Sequence, residues 1–128
     1  MDLKLGKITQ VSWPVSDVDR AVEFFRDKVG LAFLFRPHET MAFFDLGGTR
    51  LYVEKAEDLS KASILYLLCE DVALAAAELE RRGVEIVSQP HRVAEMPGHD
   101  LWMAFFNDPD GHLLALEMQA PKGWKPGA

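Results

Sequence analysis

The feature that most constrains this chain is that it repeats itself. Gln10-Val11-Ser12-Trp13-Pro14-Val15-Ser16-Asp17 and Ile64-Leu65-Tyr66-Leu67-Leu68-Cys69-Glu70-Asp71 are both apolar runs that close on an aspartate, and each aspartate opens a helical pattern. In the first helix, near residues 17–29, Val18, Ala21, Val22 and Phe25 share one face at i, i+3, i+4, i+7 spacing; in the second, near residues 72–82, Val72, Ala75, Ala76 and Leu79 do. Ser16 followed by Asp19 reads as an N-cap arrangement. Gly30 and Gly83 supply the left-handed position expected past a helix end. Met41-Ala42-Phe43-Phe44 returns as Met103-Ala104-Phe105-Phe106, and Gly48 precedes Glu54 by six residues as Gly111 precedes Glu117. Four coincidences in the same order indicate duplication.

Strands are expected over about 7–15, 31–37, 40–46 and 49–55, and again over 63–70, 84–88, 101–107 and 112–119. Gly47-Gly48 and Asp108-Pro109-Asp110-Gly111 are turn sequences. The pattern predicts an α+β fold, a single domain over 1–128 made of two tandem βαβββ modules at about 7–55 and 63–119. Residues 56–62 link them, and residues 120–128 form a loose tail in which Trp124 packs on the body or on a second subunit. Residues 64–69 read as buried strand, and residues 89–100, with Pro90, Pro97 and Gly98, as a long loop, either a lid or passive surface. Two four-stranded mixed sheets with helices on their outer faces would leave a cup-shaped cavity between them.

Period-2 alternation assigns the faces. Val11, Trp13 and Val15, Leu51 and Val53, and Leu114, Leu116 and Met118 form apolar faces suited to packing under helices. The mixed faces place Gln10, Ser12, Tyr52, Glu54, Tyr66 and Glu117 as the candidate ligand-binding residues of a mostly apolar, sparsely polar cavity. Phe24, Phe33, Phe35, Phe43, Phe44, Phe105 and Phe106 are expected mostly in the core, with a few left to stack on a ligand that alternation does not single out.

A formal charge of −6 argues against nucleic acid and anionic membrane as partners. Cys69, the one cysteine, excludes an intrachain disulfide and reads as an inert core thiol. Residues 1–5 lack a signal pattern and no apolar run reaches about 18 residues, so a cytoplasmic protein is expected.

Residues 15–25, Val-Ser-Asp-Val-Asp-Arg-Ala-Val-Glu-Phe-Phe, together with Asn107-Asp108-Pro109-Asp110-Gly111-His112, resemble the vicinal-oxygen-chelate superfamily of glyoxalases, bleomycin-resistance proteins and extradiol dioxygenases. The resemblance spans Ile8 to Gln119 and implies a homodimer. It also implies metal-ligand positions at Gln10 and Tyr52 in the first module and at Ile64 and Ala115 in the second. Ile and Ala cannot ligate, so the family's ordinary metal set is missing, and neither a metal nor another cofactor is expected. Glu54 and Glu117, two residues beyond the lost positions, are open to three readings: rim carboxylates, polar ligand contacts, or a displaced metal site with Gln10. His38, His91, His99 and His112 offer no replacement set, with His99 the one kept as a candidate ligand contact.

The resemblance therefore implies a small-molecule binder working without the usual metal, its acidic lining suited to a cationic or hydroxyl-rich ligand. The alternative is a glyoxalase-type lyase, isomerase or dioxygenase using a displaced metal or a carboxylate base. A non-catalytic interaction role has no positive support in the sequence.

Overall fold

A computed structural model describes residues 2–4 and 6–127. Met1 and Leu5, part of the stretch read for a signal pattern, and Ala128, the end of the tail, lie outside the described residues. The chain divides into two compact units, Met1–Ala62 and Ser63–Ala128.

The first unit runs β1 (Gln10–Val15), α1 (Val18–Val22), a π-helical continuation (Glu23–Val29), β2 (Ala32–His38), β3 (Met41–Asp45) and β4 (Arg50–Lys55). The second runs β5 (Leu65–Leu68), α2 (Val72–Arg81), β6 (Ile86–Glu95), β7 (Asp100–Asn107) and β8 (Leu113–Ala120). The sheet orders β1-β4-β3-β2 and β5-β8-β7-β6 are the same topology twice, each with one parallel pair and two antiparallel pairs. The α+β class and the tandem βαβββ order hold.

Both helices begin at an aspartate whose carboxylate accepts from a backbone N–H three residues on, Asp17 from Arg20 at 3.1 Å and Asp71 from Leu74 at 3.0 Å. The cap is thus Asp17 rather than Ser16, whose hydroxyl accepts from the Arg20 guanidinium instead. A carboxylate at this position also meets the positive end of the helix dipole, which a serine cannot. After Val22 the first helix widens, with the Gly30 N–H reaching the Phe25 carbonyl. The neighbouring rings of Phe24 and Phe25 both bury there, which a turn with fewer degrees per residue accommodates. Gly30 and Gly83 take positive φ at the two helix ends.

The repeated Met-Ala-Phe-Phe strand shows how alternation builds each core. Ala42 and Phe44 are buried beneath the first helix, as Ala104 and Phe106 are beneath the second. The methionine and the first phenylalanine of each repeat turn to the open face of their sheet. In the first core, the Phe25 ring meets Trp13 at 6.2 Å, Phe24 at 5.0 Å and Phe44 at 5.6 Å, the first two edge-to-face. In the second, Val72, Ala76 and Leu79 of α2 and Ala104, Phe106, Leu114, Leu116 and Met118 of the sheet are the buried apolar residues.

Three further sequence expectations are corrected. Residues 89–95 are not loop but the second half of β6, which tolerates Pro90 because it is an edge strand with register shifts, where a missing N–H need not break a ladder. Residues 64–69 are not buried throughout: β5 is also an edge, and Ile64, Tyr66 and Leu68 are 42%, 53% and 74% exposed. The tail is held against the body as far as Trp124. Buried Asp100 accepts from the Gly123 N–H at 2.9 Å and faces Lys122 Nζ at 3.1 Å, the same ammonium donates to the Met96 carbonyl, and Trp124 meets Trp102 edge-to-face at 5.0 Å.

The Gly123 N–H, with Lys122 beside it, holds the Asp100 carboxyl below its ordinary range. A lowered carboxylate stabilises above its unfolded pKa, and this contribution is lost as pH falls through the folded value. Trp124 emission should therefore shift to the red below about pH 4, and Asp100→Ala should give the shifted spectrum at neutral pH. An unchanged spectrum in the variant would refute the clasp.

Candidate functional site

The open face of the first sheet carries a row of three aromatic side chains supplied by adjacent strands. Register places Tyr52 beside Phe43, and Phe43 beside Phe35. The rings stack, Phe35 on Phe43 at 4.7 Å and 23°, and Phe43 on Tyr52 at 5.0 Å and 16°. These spacings match the separation of neighbouring strands, so the rings stand up from the sheet facing one another and present their edges outward. Arg50, two residues before Tyr52 on β4, holds its guanidinium 5.3 Å from the Phe35 centroid and 5.9 Å from that of Phe43. It takes no carboxylate partner among the described residues.

On the other side of the ladder stands Glu54. Hydrogen bonding between the Tyr52 hydroxyl and the Glu54 carboxylate, with burial second, raises the phenol above its ordinary value. Glu54→Gln should bring that titration back down, read as phenolate absorbance at alkaline pH; an unmoved curve would show that the pairing does not form. Beyond Glu54 the face opens into a hollow of about 280 Å³ lined by Ser12, Trp13, Pro14, Glu54, Ala56, Asp58 and Lys61. Asp58 is occupied by the Ser60 N–H and hydroxyl, which hold its carboxyl below the ordinary range. Lys61 has no charged partner among the described residues.

Of the sequence-derived candidates, Ser12, Tyr52 and Glu54 come together here, Ser12 beside Tyr52 in register and beside Glu54 in the hollow. Gln10 lies on the same face at the level of Arg50. Tyr66 and Glu117 lie on the open face of the second sheet, on the paired strands β5 and β8, Tyr66 exposed and Glu117 half-buried. Sequence reasoning did not single out Phe35, Phe43 or Arg50, nor the hollow's Asp58 and Lys61 from the linker. Arg50 shares the Tyr52 and Glu54 face by alternation, and that was the available signal.

The second sheet lacks a ladder for a traceable reason. Phe105 occupies the place of Phe43, but its partner on β8 is Ala115 where the first sheet has Tyr52. Among the described residues, the Phe105 ring finds only His91 on its other side, at 6.5 Å.

The residues present do not fit the family's divalent metal. The four positions that the resemblance implies hold Gln10, Tyr52, Ile64 and Ala115; Tyr52 stacks on Phe43, and Ala115 is fully buried. The displaced set with Gln10 and Glu54 is overturned by register. Gln10 pairs with Arg50 and Pro14 with Glu54, which separates the two side chains by four residues, about 13 Å along the strands. Ligands of one ion lie about 2.0–2.2 Å from it. In the Asp108–His112 turn, Asp108, Asp110 and His112 bring ligand atoms within 4.8 Å of one another, but Asp108 accepts from the Asp110 and His112 N–H groups and fixes the turn.

Other candidates fall away locally. Cys69 is half-buried, and burial followed by Asp71 pushes its thiol upward, away from thiolate. His38 is engaged with Thr40, and His91 with the Gln89 carbonyl. His99 precedes the clasped Asp100, and its carbonyl accepts from the Met96 N–H.

Among the described residues, no helix is long and apolar enough to cross a membrane. The chain is similar to YraH, an uncharacterized protein of Bacillus subtilis, with 28% identity covering 86% of this chain and 96% of that one. It is 27% identical to the metallothiol transferase FosB of Staphylococcus epidermidis, covering 85% and 81%. Among solved structures it is similar to TnmS3, an antibiotic binding protein of a Streptomyces species, at 25% identity and a TM-score of 0.74, covering 93% and 100%. Residues 7–116 match the Glyoxalase/Bleomycin resistance protein/Dioxygenase superfamily, and the chain belongs to that family.

Proposed function

We propose that this protein binds a small organic molecule on the open face of its first sheet, without the family's usual metal. The observation that carries this reading is the stacked Phe35–Phe43–Tyr52 row, flanked by Arg50 and by the Glu54 hollow. Leaving three aromatic rings side by side on an uncovered face is costly in water unless something else covers them, and polar groups at both ends of an aromatic strip suit an oriented ligand. The similarity to an antibiotic binding protein supports the same reading.

Ser12, Tyr52 and Glu54 are the proposed contacts around the ladder, with Gln10 at its Arg50 end and Tyr66 and Glu117 as ligand contacts on the second sheet's own face. The protein is proposed to act as a cytoplasmic homodimer. Exposed Ile64, Tyr66 and Leu68 on the β5 edge supply apolar surface for a second copy.

The test is thermal denaturation against a panel of planar aromatic compounds. A ligand at 100 times its Kd should add about 2.7 kcal/mol of stability, an upward shift of several degrees. A panel without any shift would sink the reading. Turnover of α-keto thiol adducts that disappears in Glu54→Gln or Glu117→Gln would instead favour catalysis by a carboxylate base.

A further inference from the structure

We infer that the ligand of this face is a planar, electron-rich aromatic molecule bearing an acidic oxygen, bound with that oxygen against Arg50. The inference rests on the binding role proposed above and fixes its ligand class. It reverses the charge expected from the sequence, where the carboxylates pointed to a cation.

Three observations carry it. The ladder's rings face one another, so a ligand laid on top meets ring edges, where an aromatic quadrupole is positive; a π-face or an electronegative atom is favoured there and a cation is not. Arg50 adds a full positive charge beside those edges, and its guanidinium, held against Phe35 and Phe43, has no carboxylate partner among the described residues. A guanidinium held this way keeps in-plane N–H groups for a carboxylate or phenolate oxygen. Glu54, two residues beyond Tyr52 on the same strand, carries its negative charge four residues from Arg50, about 13 Å along the strand. The nearest acid on the face is Asp45, opposite Arg50 in register; its carboxylate accepts from the Gly48 N–H at 2.8 Å and forms no ion pair with Arg50. The face therefore offers guanidinium N–H donors with no carboxylate partner among the described residues at the Arg50 end of the ladder and a carboxylate at the Glu54 end. An acid-bearing ring system lies along it in one orientation, with any hydroxyl donor toward Glu54.

Isothermal calorimetry with 2-naphthoate, naphthalene-2-carboxamide and 2-naphthylmethylammonium separates the possibilities. The carboxylate is expected to bind at least about tenfold more tightly than the ammonium. Arg50→Gln should remove that preference while amide binding stays measurable, Arg50→Lys should retain part of it, and Lys61→Gln should reduce it less than Arg50→Gln does. Amide binding by Arg50→Gln also confirms that the variant is folded. If all three probes bind alike, or the ammonium binds best, the inference fails and the binding site stands. Loss of the preference in Lys61→Gln rather than Arg50→Gln also overturns it, since the acid would then occupy the hollow. If none of the three binds, the inference and the proposed binding role fall together.

Discussion

Replacing Phe25 by alanine should lower the unfolding free energy by about 3–5 kcal/mol, a large share of the 5–15 kcal/mol typical of a domain. The ring is fully buried and is the one that Trp13, Phe24 and Phe44 all touch. Its removal deletes three aromatic contacts and leaves a void that β1 and β3 cannot both close on, because Trp13 and Phe44 are fixed by their own strand registers. Urea denaturation gives the number: a lower midpoint at unchanged slope reports lost stability. A loss under about 1 kcal/mol would mean that the helix relaxes into the space and that the aromatic cluster is not the organising contact of the first unit.

Phe43→Ala should leave the protein folded and weaken ligand binding by roughly 10–100-fold. Phe43 is the middle ring, so its loss removes both stacking contacts, each worth about 0.5–1.5 kcal/mol, and separates Phe35 from Tyr52. Arg50 also loses one of its two ring neighbours. The control is supplied by the repeat: Phe105→Ala changes the corresponding residue of the second sheet, where Ala115 interrupts the row, and should leave affinity within about twofold. Calorimetry on both variants with a bound planar aromatic decides. Equal losses would mean that the ladder has no special part in binding, and a wild-type affinity in Phe43→Ala would remove the ladder from the site.

Much of this architecture was legible because duplication supplies its own check. An aspartate before each helix, a glycine after it and a Met-Ala-Phe-Phe strand in each half are local signals, and each was seen twice. The elements that escaped are those decided by neighbours. Pro90 reads as a strand breaker until β6 is known to be an edge. The glycine- and proline-rich tail reads as loose because the residue that holds it, Asp100, lies 23 positions away. Alternation separated Tyr52 and Glu54 from Leu51 and Val53, but only cross-strand register reveals which aromatic side chains from β2 and β3 line up with Tyr52. The displaced metal set failed for the same reason. A face is visible in one strand; distance along that face is a property of two.

The clasped tail also gives each half of the molecule its own optical reporter. Trp13 is sealed in the core of the first unit, whereas Trp102 and Trp124 form an edge-to-face pair in the second. A Trp13→Phe protein would emit only from the Ser63–Ala128 unit, and a Trp102→Phe, Trp124→Phe protein only from Met1–Ala62. Coupled indoles 5.0 Å apart add an exciton couplet to the circular dichroism that a lone indole cannot produce. The duplicated halves are thus spectroscopically distinct, and their melting can be followed one at a time within the intact chain.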